Sequence, residues 1–315
     1  THGDALVDVC ELEHLTSLPM ADILWVIDEG LSAHRRDQLA KGAHGLLAEA
    51  LASGLDFRLG VTAMCRPGAA SCTSGKLCSK VSTDPAHDGG PDRFLLPSEA
   101  LTFQACVRNP PGLEVAEPHG LHGAKEALAQ HQPRQSNDVT KLRPGAALAV
   151  VIVSERPDHG IASVLPASER SCSLTTSESR VLDLAIAPYL GMGAPVHHIG
   201  GICSDSCKGV MSHGYQALVA ATGGVLTSSC QASLDGALAG IVDRTVGLAS
   251  PMVLTSRPVA ASLAMALDGV QVRRHARTGF RYDARSNGLV FINVKFAKGS
   301  EVVVAYKRWL SGGTP

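Results

Sequence analysis

Apolar runs that alternate with amphipathic segments dominate the chain from residue 21 to about residue 247. Ala21–Asp28, Phe57–Met64 and Ala146–Ser154 are nearly continuous apolar runs, which is typical of strands buried on both faces of a sheet. Ser32–Ser53 carries apolar residues at helical spacing. The other predicted helices and strands are Gly120–Gln130, Thr175–Tyr189, Pro195–Gly200, His213–Thr222, Gly224–Ser228 and Gln231–Val246. The alternation predicts an α/β fold, with a Rossmann-like, doubly wound, mostly parallel sheet.

After Gly247 the pattern changes to short β-like runs that are separated by turn residues such as Asp268-Gly269. The runs are Ala260–Ala266, Val270–Arg273, Phe280–Asp283, Leu289–Phe291 and Glu301–Tyr306. They predict a small antiparallel, β-sandwich-like module. Leu6–Leu12 alternates apolar and polar residues, and we expect it to add a strand to that module. The predicted domains are therefore an N-terminal strand in 1–20, an α/β domain in 21–248 and a β module in 249–315.

The segment 65–97 is rich in Gly, Pro, Ser, Asp and Cys, and it interrupts the α/β pattern. A structureless stretch of this length inside a domain is normally functional, cross-linked or inserted. Two interpretations stay open for this Cys-rich insertion. It is either a recognition surface or a loop that disulfides hold in place and that has no role in recognition.

Charge and cysteine content narrow the function classes. The formal net charge is -1, which gives no reason to expect a nucleic acid or an anionic membrane as partner. No apolar run approaches the roughly 18–20 residues that span a bilayer. Nine cysteines, several of them in loop-like sequence, favour an oxidising compartment. We expect a secreted protein of the periplasm or cell surface that has lost a leader. Because nine is an odd number, at least one thiol is unpaired, or is paired to another chain or to a missing segment.

The run ADILWVIDEGLS resembles the opening of a von Willebrand factor A (VWA) domain, in which an apolar strand leads into Asp-x-Ser-x-Ser. Later segments keep the order of that family: FRLGVTAM, GLHGAKEAL, LAVVIVSE, PVHHIGG and YQALVAATGGVL. The C-terminal module resembles the β tail of secreted VWA proteins from bacterial envelopes. The resemblance covers essentially the whole chain. It implies a metal-ion-dependent adhesion site at the carboxyl ends of the strands.

In the resembled family, an Asp, two Ser, a Thr and a second Asp hold a divalent cation, usually Mg²⁺, and a carboxylate of the partner completes the shell. Asp28 and Ser32 match the first Asp and the second Ser, but Gly30 replaces the first Ser. The segment 107–120, where the Thr is expected, contains none, and Glu155 takes the place of the second Asp. We therefore expect a degenerate site without metal or other cofactor, Mg²⁺ being the ion that a retained site would bind.

Asp28 and Ser32 have a structural interpretation as well. Asp28 stands at a strand end, where its carboxylate suits a turn. Ser32 opens the predicted helix, where its hydroxyl can accept a backbone N–H. Asp158 lies near Glu155 but is offset from the family pattern.

A second cluster combines histidines and cysteines: His197, His198, Cys203, Cys207 and His213. Such residues can bind zinc, but the Cys-x-x-x-Cys spacing is not that of a zinc ribbon. The resemblance instead implies that Cys203 or Cys207 bridges to Cys230. The candidate disulfide cysteines are Cys65, Cys72, Cys78, Cys106, Cys203, Cys207 and Cys230.

The sequence contains no Gly-x-Ser-x-Gly nucleophile elbow, and we expect no catalytic residues. We predict a non-catalytic binding or assembly protein of the cell envelope or surface. Its partners would be other proteins, including copies of itself or other envelope subunits. One alternative is a structural subunit of an extracellular filament or surface complex that adds strands edge to edge. Weaker alternatives are a Mg²⁺-dependent adhesin and an intracellular chelatase-like subunit.

Overall fold

The computed structural model divides the chain into two compact units. One comprises residues 1–20, 49–56 and 245–315, and the other comprises residues 21–48 and 57–244. We call the first the β unit and the second the α/β unit. Within them, the structure describes residues 6–15, 19–52, 54–68, 74–79, 92–112, 117–133, 138–165, 173–202, 211–231, 233–250, 252–275, 278–292, 294 and 299–310.

The helices and strands follow the predicted order closely. The strands are β1 (Leu6–His14), β2 (Met20–Ile27), β3 (Asp56–Ala63), β4 (Ala147–Ser154), β5 (Val196–Gly200), β6 (Leu226–Ser228), β7 (Ala264–Leu267), β8 (Val270–Val272), β9 (Gly279–Asp283), β10 (Gly288–Ile292) and β11 (Glu301–Trp309). The helices are α1 (Ala33–Ala52), α2 (Ala100–Arg108), α3 (Gly120–Gln130), α4 (His159–Ala162), α5 (Thr176–Leu190), α6 (His213–Thr222) and α7 (Asp235–Leu248).

A five-stranded sheet in the order β3-β2-β4-β5-β6 forms the centre of the α/β unit. β2 pairs in parallel with β4, β4 with β5, and β5 with β6. The residues Ala21–Ile27 of β2 are all buried, which explains their apolar run. Ile27 lies opposite Val153 in the β2–β4 register, so the residues that follow these strands meet at the carboxyl edge of the sheet.

Helix α2 has no counterpart in the sequence-based predictions. It buries Phe103, Cys106 and Val107, and the ring of Phe103 packs edge-on against Trp25 with centroids 5.5 Å apart. A disulfide joins Cys106 to Cys78, with a Cα–Cα distance of 5.8 Å. The segment that follows the Cys-rich insertion is therefore part of the packed α/β unit.

The β unit contains a four-stranded sheet in the order β1-β11-β7-β8 and a two-stranded sheet of β9 and β10. β1 and β11 pair antiparallel over nine positions, from Leu6 opposite Trp309 to His14 opposite Glu301. The core of this unit includes Met252, Leu254, Phe280, Leu289, Phe291, Val302, Val304 and Tyr306. The predicted fold class, a mostly parallel α/β sheet plus an antiparallel module, is confirmed. The first predicted run of the module starts later, because Ala260–Ser262 forms a 3-10 turn.

Candidate functional site

Asp28 lies directly after β2 and is fully buried. Its carboxylate accepts four hydrogen bonds from three residues. Oδ1 accepts from the backbone N–H of Gly30 at 2.7 Å and from Nη2 of Arg156. Oδ2 accepts from the hydroxyl of Ser154 at 2.6 Å and from Nε of Arg156 at 3.0 Å. A carboxylate offers about four lone-pair sites, so both oxygens of Asp28 are saturated by protein donors.

Gly30 provides the space for the Arg156 guanidinium. A Cβ built on Gly30 would lie 2.3 Å from Nη2 and 2.4 Å from Cζ of Arg156, which is far below any real contact distance. A serine at position 30, as in the resembled family, and this arginine conformation therefore exclude each other. The hydrogen bonds to Asp28 raise the pKa of Arg156 further, so the arginine keeps its charge at any ordinary pH.

Ser32 serves as the N-terminal cap of α1. Its hydroxyl accepts from the backbone N–H of Arg35 at 3.2 Å. The next arginine in α1, Arg36, secures the same loop because its Nη1 donates to the carbonyls of Glu29 at 2.8 Å and Leu31 at 2.7 Å. These contacts fix the Asp28 loop from within the chain.

Glu155 makes its contacts with residues that do not contact Asp28. Its Oε1 lies 3.0 Å from Nε of Arg35 and accepts from the hydroxyl of Ser229 at 3.0 Å. The residue that aligns with the second Asp of the family is thus held in an ion pair with α1. The structure places Glu155 at the expected edge of the sheet and gives it a different set of contacts.

Asp158, the acid that is offset from the family pattern, joins the starts of α3 and α4. Its carboxylate accepts from the backbone N–H of Leu121 at 2.9 Å, from that of Ile161 at 3.3 Å and from the hydroxyl of Tyr215 at 3.3 Å. The side chain is buried, and burial raises the pKa of Asp158 in spite of these hydrogen bonds. Asp158 therefore stabilises the carboxyl edge where the family's Thr loop would lie.

Glu29 is a second buried acid at this edge, with 7% of its surface exposed. Burial, assisted by the neighbouring charge of Asp28, raises the pKa of Glu29 to about 7. The polar cluster around Asp28 therefore contains the Asp28–Arg156 ion pair and one carboxyl group, that of Glu29, whose pKa is near neutral.

The predicted histidine pair on β5 belongs to the core. His197 and His198 are buried, and burial lowers their pKa values to about 3 and about 4. His197 Nδ1 accepts from the backbone N–H of Val225 at 3.0 Å, and the ring of His198 packs against Tyr215 with centroids 4.8 Å apart. His213 is the first residue of α6. The remaining members of the predicted cluster, Cys203 and Cys207, lie outside the described residues.

The candidate disulfide cysteines are partly described. Cys78 and Cys106 are bonded to each other, and Cys65 and Cys230 are also disulfide-bonded. The other candidates, Cys72, Cys203 and Cys207, lie outside the described residues. Among the described cysteines the free one is Cys10, which is exposed on β1.

No protein-family model and no curated protein matches the chain. Solved structures do show similarity. The pilus adhesin SpaC from Lactobacillus rhamnosus GG, in its open conformation, is 12% identical with a TM-score of 0.39, over 100% of this chain and 42% of SpaC. The PilB minor pilin from Streptococcus sanguinis is 14% identical with a TM-score of 0.37, over 72% of this chain and 61% of PilB.

The vWF domain of the type V pili tip protein Mfa5 from Porphyromonas gingivalis is 10% identical with a TM-score of 0.40, over 73% of this chain and 96% of that domain. This chain spans less than two thirds of SpaC and of PilB.

Proposed function

We propose that the chain is a non-catalytic protein-binding or assembly protein of the cell envelope or surface, in which the Asp28 site works without a metal ion. The saturation of the Asp28 carboxylate by Arg156, Ser154 and the Gly30 backbone is the observation that carries this proposal. An ion at Asp28 would have to displace these donors. Mg²⁺ requires near-octahedral oxygen ligation and tolerates the loss of ligands poorly.

Arg156 supplies a permanent positive charge beside Asp28, and its side chain is 29% exposed. A guanidinium cannot exchange with solvent as an ion does, so partner binding at this edge would not depend on divalent cations. The partner would contact loops at the carboxyl edge, including the Cys-rich insertion, rather than complete a metal shell. This arrangement argues against the alternative of a Mg²⁺-dependent adhesin.

The disulfides support an oxidising location. Cys78–Cys106, together with the bonded Cys65 and Cys230, would not persist in a reducing cytosol. Within the described residues, no helix is long and apolar enough to cross a membrane. We therefore infer secretion to the periplasm or cell surface, and the alternative of an intracellular chelatase-like subunit is disfavoured.

The test is the effect of Mg²⁺ on thermal unfolding. We expect the melting temperature of the wild-type chain to be the same with and without millimolar Mg²⁺. The matched variant is Gly30→Ser/Arg156→Ala, which removes the guanidinium and restores one hydroxyl. Stabilisation by Mg²⁺ in this variant alone would show that the arginine excludes the ion. A rise of several degrees in the wild type would refute the metal-free site.

A second candidate is a structural subunit of an extracellular filament or surface complex, and β1 favours it. β1 is nine residues long and lies at one end of the strand order of its sheet, with β11 on its other side. An edge strand of this kind can pair with a strand of another chain. The exposed thiol of Cys10 lies on the same strand.

The two candidates are separated by the size of the purified chain at micromolar concentration, measured with and without reductant and compared with Cys10→Ser. A subunit that assembles through β1 forms oligomers under these conditions, and Cys10→Ser abolishes only the reductant-sensitive fraction. A monomer in all samples would exclude self-assembly through this edge.

A further inference from the structure

Two loops at the carboxyl edge of the α/β unit bring Glu117, His119 and His159 together. One ligand atom from each of the three lies within 4.8 Å of those from the other two. Nε2 of His159 is 3.7 Å from Oε2 of Glu117, and the rings of His119 and His159 are 5.2 Å apart between centroids. All three residues are partly buried. Glu117 and His119 precede α3 and His159 opens α4, so the cluster joins segments about 40 positions apart along the chain.

The backbone beneath these side chains is fixed by hydrogen bonds. The N–H of His159 donates to the carbonyl of Pro118 at 2.8 Å, which ties the two loops directly. The N–H of His119 donates to the carbonyl of Met64 at 3.1 Å, at the end of β3. The buried carboxylate of Asp158 adds a second tie, since it accepts from the N–H groups of Leu121 and Ile161. A ligand set on such a fixed frame loses little conformational freedom when it binds an ion.

The donor atoms match a zinc ion better than a magnesium or calcium ion. Two imidazole nitrogens and one carboxylate oxygen are the ligand set of many open zinc sites, whereas Mg²⁺ and Ca²⁺ favour oxygen ligands throughout. Zinc–ligand bonds of 2.0–2.2 Å in a tetrahedron place neighbouring ligand atoms about 3.4 Å apart. The Glu117–His159 distance of 3.7 Å is already close to this value, and the other separations, which do not exceed 4.8 Å, would have to shorten by side-chain rotation on binding.

We propose that Glu117, His119 and His159 form a Zn²⁺ site whose fourth position is open to water. The site is distinct from the Asp28 site, because it uses none of the residues that contact Asp28. The proposed Zn²⁺ site also does not depend on whether the chain assembles into a larger structure. The loop that lacks the family's Thr supplies two of its ligands, and the segment after β4 supplies the third.

The test is Zn²⁺ binding to the tag-free chain, measured by competition with a chromogenic chelator after dialysis against EDTA. The background is Cys10→Ser, so that the free thiol does not bind the ion. We expect one Zn²⁺ per chain. Binding of Co²⁺ to the same chain should give the intense visible absorption of a four-coordinate ion.

Three single variants and one matched control decide whether the bound ion sits at this cluster. His119→Ala, His159→Ala and Glu117→Gln should each weaken Zn²⁺ binding at least about tenfold, since even indirect partners of a metal contribute on this scale. The control is His122→Ala, which removes a nearby histidine of α3 outside the cluster and should leave the affinity essentially unchanged.

Circular dichroism and the urea midpoint establish that each variant is folded, and Glu117→Gln changes the side-chain volume least. Saturable binding that the three cluster variants weaken and His122→Ala leaves intact supports the site. Absence of stoichiometric binding, or equal losses in all four variants, would overturn it.

Discussion

Removal of Arg156 is the sharpest test of the Asp28 arrangement. Arg156→Ala deletes two of the four hydrogen bonds to the Asp28 carboxylate and the positive charge that pairs with it within the described part of the chain. The bonds from Ser154 and the Gly30 N–H would remain. Because Asp28 is fully buried, its negative charge would be left with hydrogen bonds but without a counter-ion.

The expected cost is about 3 kcal/mol of unfolding free energy. Breaking a buried ion pair from one side costs about 3–5 kcal/mol, because the remaining charge stays desolvated. The lower end applies here, since 29% of the Arg156 side chain is exposed and water can enter its place. Asp28→Asn/Arg156→Ala removes both charges, and we expect it to be less destabilised than the sum of the single variants by about 2 kcal/mol.

The assay is urea unfolding followed by tryptophan fluorescence. Trp25 is fully buried in β2, three positions before Asp28, whereas Trp309 is 56% exposed in the β unit. A Trp309→Phe background therefore makes the signal specific to the α/β unit, which matters because two units need not unfold together. The matched control is Arg108→Ala, which breaks the partly exposed pair with Asp37 and should lower the urea midpoint far less than Arg156→Ala does.

A midpoint for Arg156→Ala that matches the Arg108→Ala control would contradict this account. So would strict additivity of Asp28→Asn and Arg156→Ala. Either result would mean that the guanidinium lies beside Asp28 without neutralising it.

Two further predictions follow from the same unit. Burial raises the pKa of Glu29 from 4.5 to about 7, so the folded state holds a proton there that the unfolded state has released. The protonated Glu29 carboxyl stabilises the folded wild type fully below pH 4.5, and about 3 kcal/mol of unfolding free energy is lost as the pH rises from 4.5 to about 7. Glu29→Gln has no such group, so its unfolding free energy should rise by this amount relative to the wild type over the same pH range. A constant difference in urea midpoints between pH 4.5 and pH 8 would exclude it. Replacing both Cys78 and Cys106 by Ala opens a loop of 28 positions and should cost about 3–4 kcal/mol, and a loss below about 1 kcal/mol would show the disulfide to be dispensable.

Strands buried on both faces could be predicted from the sequence because burial imposes a continuous apolar run. β2 begins and ends one residue before the predicted Ala21–Asp28, and β4 begins one residue after the predicted start of Ala146–Ser154. α2 could not be predicted with the same ease. Its buried face consists of Phe103, Cys106 and Val107, three residues at helical spacing directly after a long polar insertion. So short a pattern does not distinguish a helix from a structured loop.

The candidate site was predictable only in part, for a similar reason. The changes at Gly30 and Glu155 are visible in the sequence, because they depart from a linear motif. The pairing of Asp28 with Arg156 joins positions 128 apart and depends on side-chain geometry, which no local pattern encodes. Two departures from the family motif that occur together are the signal for this pairing in the sequence. Position 30 has no side chain, and an arginine stands two residues after β4.

The antiparallel pairing of β1 with β11 determines how the chain would respond to tension. Leu6 lies opposite Trp309, so a pull applied between these two positions separates the ribbon from one end, pair by pair. The whole α/β unit is inserted between these two strands in the chain. We therefore expect the β1–β11 hydrogen bonds to break before any force reaches the α/β unit. The Asp28 site would not be stretched until the two strands have separated.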